Sequence, residues 1–158
     1  MADTTTLYDE DFVAWSKQQA EALRAAARAG ANLPLDWENL AEEIESLGRS
    51  QRHTLHSQIY RIIRHLLKLQ HSPARDPRRG WVETISDARS EIEIVLDDSP
   101  SLRGEVEAIV ETELGRGSRR AIRDLSEFGE IDPVMQQAIR DAQYSVDQVL
   151  EDWFPDPQ

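Results

Sequence analysis

The stretch DWENLAEEIESLGRSQRHTLHSQIYRIIRHLLKLQ, Asp36 to Gln70, decides the fold. Trp37, Leu40, Ile44, Leu47, Leu55, Ile59, Ile62, Leu66 and Leu69 follow one another at steps of three or four, save between Leu47 and Leu55, where Gln51 holds the expected place. At roughly 100° per residue these positions fall within about a third of a helix circumference, so the spacing predicts one core-facing stripe along one long helix. Asp36 stands where an N-cap belongs, with Asn39 giving a weak capping pattern. Gly48 is the weak link, since a mid-helix glycine costs about 1 kcal/mol against alanine. The stripe keeps its phase across Gly48, which favours an unbroken rod over a kink there.

The opposite side carries Glu38, Glu42, Glu45, Arg49, Arg52, His53 and His56. It begins acidic and ends basic, and Glu45 with Arg49 has the favoured order for an i,i+4 ion pair. The plain expectation is a solvated face laced with such pairs. The sharper one is a site, in which carboxylates and two imidazoles one turn apart hold a divalent metal or a phosphate. His53 and His56 supply only two ligands, so a third would have to come from another element. His65 lies about half a turn from His56 and points toward the core, as a hydrogen-bonded structural histidine would.

Working outward, Tyr8, Phe12, Trp15 and Leu23 predict a first helix from Leu7 to Ala29, closed by Gly30. Pro73 and Pro77 enforce a loop, Ser72 to Gly80. Trp81, Ile85, Ala88, Ile92 and Leu96 predict a third helix. Ser99 and Pro100 read as an N-cap with proline at the first helical position, opening a fourth through Leu102, Val106, Ile109 and Val110 that runs toward Phe128 unless Gly115 and Gly117 break it. The fragment Gly115 to Arg120 is no phosphate loop, for it lacks the strand and the lysine. Asp132-Pro133 opens a helix of about ten residues and Ser145 caps a last short one. Trp153 and Phe154, in a proline-flanked tail, are expected to fold back onto the rest; exposed, they would anchor a partner. No segment alternates with the period of a strand.

Composition sets the outer bounds. The 158 residues, 39% apolar, suffice for one core. No apolar run approaches the roughly 18 residues that span a bilayer, and Met1 to Thr6 lack a secretory signal, so a soluble cytoplasmic protein is expected. With no cysteine in the chain, disulfides, thiolate zinc sites and a cysteine nucleophile are excluded. Residues 1–48 carry net −7, residues 49–80 net +7 and the remainder net −12. Such alternation suits elements that attract one another. It also leaves Arg75, Arg78 and Arg79, in the loop after the long helix, as a candidate anion contact. A total of −12 and arginines without interleaved aromatics weigh against a nucleic-acid partner.

The residues also carry a resemblance. Leu7-Tyr8, Asp11-Phe12 and Trp15, then the run Leu35 to Ser50, then His65 to Lys68, Trp81 with Thr84-Ile85, and Asp98 to Leu102 resemble the bacterial family catalogued as domain of unknown function 29. The resemblance covers most of the chain. Its central run is specific, whereas the part after Gly115 matches poorly until Tyr144 to Pro155. It implies an all-helical bacterial protein without an established activity. The family's recurrent acids correspond to Glu38, Glu42, Glu43 and Glu45, and no catalytic role comes with them.

Enzyme templates fare badly. No histidine has a glutamate three residues before it, as a di-iron bundle needs. A Gly-x-Ser-x-Gly elbow and a His-Glu-x-x-His zinc motif are both absent. What survives is metal-assisted hydrolysis through Glu38, Glu42 or Glu45 with His53 or His56. The sequence therefore predicts an all-α helical bundle of four to six helices built around one long central helix. It predicts one domain, 1–158, with its core over 7–128 and short helices and an aromatic tail over 129–158. The expected function is a non-enzymatic protein–protein interaction module, self-association included, with no cofactor. The alternative is a metal-dependent hydrolase or nuclease on the Glu/His face.

Overall fold

The computed structural model describes residues 4–156, and among them the chain is all-α, with seven α-helices and one 3₁₀ segment. The helices are α1 (Thr4–Glu10), α2 (Phe12–Arg28), α3 (Trp37–His71), α4 (Arg78–Asp98), α5 (Val106–Glu127), α6 (Pro133–Asp141) and α7 (Val146–Leu150). The 3₁₀ segment, Pro100–Glu105, lies between α4 and α5. None is long and apolar enough to cross a membrane.

Asp11 raises the helix count above the four to six expected. Its backbone is extended and its side chain accepts from Ala14 N–H at 2.8 Å, so it caps α2 and splits the single helix predicted over Leu7 to Ala29. Gly30, at φ +75°, closes α2, as the sequence predicts. α3 runs unbroken through Gly48. The Ser99-Pro100 start departs from expectation. The Ser99 hydroxyl accepts from Val13 N–H at 3.2 Å instead of capping, and the chain begins with 3₁₀ turns before α5. α5 continues through both Gly115 and Gly117. Asp132 caps α6, and Ser145 with Gln148 forms a capping box on α7.

The chain falls into two compact units, Met1–Leu55 with Ile94–Gly104 and His56–Glu93 with Glu105–Gln158; α3 runs through both. In the first unit the expected stripe needs correction. Leu40 and Leu47 are exposed, at 38% and 47%, whereas Ala41 and Gly48, one residue round the helix, are buried. The cause is close approach: a Cβ on Gly48 would meet Ser16 Oγ of α2 at 2.5 Å, so small residues face α2 and the leucines turn outward. Asp11 also accepts from Ser101 N–H and Oγ, at 2.6 and 3.0 Å, tying the start of α2 to the 3₁₀ segment.

In the second unit Ile59, Ile62, Ile63, Leu66 and Leu67 are fully buried. The buried face is wider than the predicted stripe because α5 presses against it: a Cβ on Gly117 would lie 2.7 Å from Ile63 Cγ2. α6 and α7 pack on α5. The tail folds back as expected. Arg89 donates to the carbonyls of Val149, Gln148 and Trp153 at 2.8–2.9 Å, with its guanidinium 4.9 Å from the Phe154 ring.

Candidate functional site

The acidic part of the Glu/His face is gathered by a residue that spacing could not reveal. Arg24 of α2 points into the row of carboxylates, 2.9 Å from Glu45, 3.4 Å from Glu38 and 3.7 Å from Glu42. Arg49 closes the group from α3 itself, against Glu42 at 2.5 Å and Glu45 at 3.7 Å. The hydrogen bond from Arg24 holds the Glu45 carboxyl below its ordinary range, and Glu45 in turn raises the Arg24 guanidinium. Three carboxylates are thus spent on two guanidiniums.

The histidines do not join them. His53 is exposed. His56 lies in the second unit, its Nδ1 2.8 Å from Glu113 Oε1 of α5. Among the described residues no cluster of three or more histidines and acids comes together as a metal would require. The arginines expected together in one loop are divided as well, since α4 begins at Arg78 and takes Arg78 and Arg79 into its first turn, leaving Arg75 in the connector. Arg78 donates to the carbonyls of Leu69 and Ser72, capping the end of α3, and Arg79 pairs with Glu83 at 3.0 Å. Arg75 is exposed.

The strongest buried electrostatics lie instead where α5 meets the second half of α3. Glu113, 1% exposed, accepts from Arg116 Nη1 at 2.8 Å besides its bond to His56, and the Arg116 guanidinium stands 5.0 Å from the Tyr60 ring. Asp124, also buried, accepts from Arg64 Nε at 2.6 Å and forms ion pairs with Arg120 Nε at 3.2 Å and Lys68 Nζ at 3.6 Å. A signal for both acids existed. Val106, Ile109, Val110, Glu113, Gly117, Ala121 and Asp124 step by one, three or four, so the two carboxylates sit on the apolar stripe of α5. Beside Asp124 a cleft of about 360 Å³ opens between Lys68, Trp81, Leu125 and Phe128.

This fold has relatives. The model of the family described as Domain of unknown function DUF29 matches residues 7–154. The chain belongs to this family. The DUF29 chain is also similar to a solved structure, an alpha-helical protein of unknown function from Rhodospirillum rubrum. Identity is 24%, the TM-score is 0.70, and the match covers 94% of this chain and 98% of that one. At this identity the likeness speaks for the all-α fold. No curated protein matches the chain.

Proposed function

We propose that this DUF29 chain is a non-enzymatic docking protein whose α3, in its N-terminal half, receives a basic amphipathic helix of another protein. The observation that carries this reading is the outward turn of Leu40 and Leu47. Trp37, Leu40, Ile44 and Leu47 occupy successive a and d positions of a heptad, the pattern of a helix seam. Leu33 and Leu35, in the connector before α3, are exposed too. Burying one such leucine contributes roughly 1.5–3 kcal/mol.

Charge selects the occupant. Asp36 and Glu43 border the leucines on the side away from α2, where Asn39, Ser46 and Ser50 are the other polar residues and no base stands. Glu38, Glu42 and Glu45 lie on the far side and are already matched by Arg24 and Arg49. A second copy would bring like charges together along this border, whereas lysines or arginines beside an apolar stripe would complement it.

Titration with a designed leucine/lysine heptad peptide, against a leucine/glutamate counterpart, tests the proposal. Saturable binding of the basic peptide, lost in a Leu40→Ser/Leu47→Ser variant of unchanged helicity, is the expected result. Equal binding by that variant sinks it. A dimer of the chain that the same substitutions dissociate would make a second copy the occupant instead.

A further inference from the structure

Lys68 is a cation that shares its carboxylate partner, Asp124, with two arginines. Its side chain is 13% exposed, yet the nearest carboxylate oxygen, Asp124 Oδ2, is 3.6 Å away and already accepts from Arg64 at 2.6 Å. Arg120 takes the other oxygen at 3.2 Å, so one carboxylate serves three cations. Glu130, the second acid beside the cleft, accepts from Ser72 Oγ at 2.8 Å. An ammonium has three N–H donors. Here they have a distant, shared oxygen and the face of Trp81, whose centroid is 4.8 Å off. Burial pushes Lys68 below its ordinary range, and the pull of Asp124 offsets that only in part.

Lys68 also lines a cleft with apolar walls. The cleft of about 360 Å³ is lined by the apolar Trp81, Leu125 and Phe128 and by the charged Lys68, Asp124 and Glu130. Such a volume is at the small end of ligand sites, and an apolar body with a few convergent polar groups is their usual character. Phe128 is 77% exposed although it lines the cleft. An occupant resting on its ring would remove that surface from water.

We propose that this cleft binds a small organic carboxylate with a flat aromatic or branched apolar body, the carboxylate on Lys68 Nζ and the body between Trp81 and Phe128. The site lies within the second unit and is independent of the leucines on α3. Arg64 and Arg120 would then share Asp124 between them, and the ligand would give Lys68 an acceptor of its own.

Calorimetric titration of the full chain with indole-3-acetate, indole and acetate tests this. Indole-3-acetate should saturate with Kd below about 1 mM and bind at least about tenfold tighter than indole, the worth of one charge-assisted hydrogen bond. Lys68→Met should abolish that preference and leave affinity for indole unchanged. The variant should fold, since Arg64 and Arg120 still compensate Asp124. Phe128→Ser, at an exposed position, should weaken both aromatic probes while keeping the preference for the acid. Equal binding of indole and indole-3-acetate overturns the proposal, as does an unchanged preference in Lys68→Met or the absence of saturation by any probe.

Discussion

Glu113 Oε1 lies 2.8 Å from His56 Nδ1, and this carboxylate, on the apolar stripe of α5, is 1% exposed. A buried acid is tolerable only while hydrogen-bonded, and His56 with Arg116 provides the partners. Glu113→Ala should therefore lower stability by about 3 kcal/mol, from lost charge-assisted bonds and the void left behind. His56→Ala leaves Arg116 in place and should cost about 1–2 kcal/mol. In a double-mutant cycle followed by urea unfolding, the pair should show a coupling of about 1 kcal/mol. Simple additivity would mean that the contact contributes nothing of its own.

Gly117 and Gly115 sit in the same helix and should answer alanine oppositely. A Cβ on Gly117 would lie 2.7 Å from Cγ2 of the fully buried Ile63, which has no room to give. Overpacking of about 1–3 kcal/mol outweighs the helix-propensity gain of about 1 kcal/mol, so Gly117→Ala lowers Tm. At Gly115 the Cβ meets only Arg119 Nη1 at 3.6 Å, and the same change should raise Tm by a few degrees. Thermal melts of both variants with the same sign would contradict the close approach of α5 to α3.

Local signals made most of the helices readable, and packing decided what they could not. Asp36, Asp132 and Ser145 announce helix starts through hydrogen bonds to their own neighbours, so spacing finds them. Leu40 and Leu47 leave the buried face because helix contact follows size as well as hydrophobicity: Ala41 and Gly48 let α2 come close, and contact follows the small residues. Arg24 carries no spacing signal because its partners are supplied by another helix. Ser99 looks like a cap in isolation, and its hydroxyl serves Val13, distant in sequence. Continuity of α5 through two glycines was open for the same reason, since the gain at Gly117 lies in the fit against Ile63.

Arg89 fastens the end of the chain. Its Nε and Nη2 reach three carbonyls of α7 and the tail, a fork that lysine has no geometry to copy. Arg89→Lys should therefore release residues 146–156 while the rest of the second unit holds. Amide exchange should accelerate over Val146 to Phe154 and stay protected at Ile59 to Leu67. Uniform acceleration everywhere would mean that Arg89 supports the whole unit.

Acid should weaken the second unit through two half-buried imidazoles. Burial pushes His65 below its ordinary value of 6.5, with Lys68 and Arg64 adding to the fall while the Arg61 carbonyl and Asp124 oppose it. His71 is lowered by burial alone, and its Nε2 is enclosed without a hydrogen-bond partner. The folded state thus binds fewer protons than the unfolded chain just below 6.5. Stability is fully present above that value and is lost as pH falls toward the depressed folded values. Between about pH 7.5 and 5.5, His71→Leu should lose less Tm than the parent chain. An identical slope would show that His71 takes no part.

Divalent metal offers the sharpest contrast between docking and hydrolysis. To ligate manganese or zinc, Glu38, Glu42 and Glu45 would have to leave Arg24 and Arg49, and His56 would have to leave a buried Glu113. Each exchange surrenders a formed ion pair and gives at most one ligand, with His53 as the one exposed imidazole of that face. Protein stripped with chelator and returned to manganese or zinc should therefore melt at an unchanged Tm, because stabilisation grows as RT ln(1 + [L]/Kd) and the ligand set is already occupied. A clear rise in Tm that Glu42→Ala removes, with helicity intact, would revive metal-assisted hydrolysis on this face and displace the docking proposal.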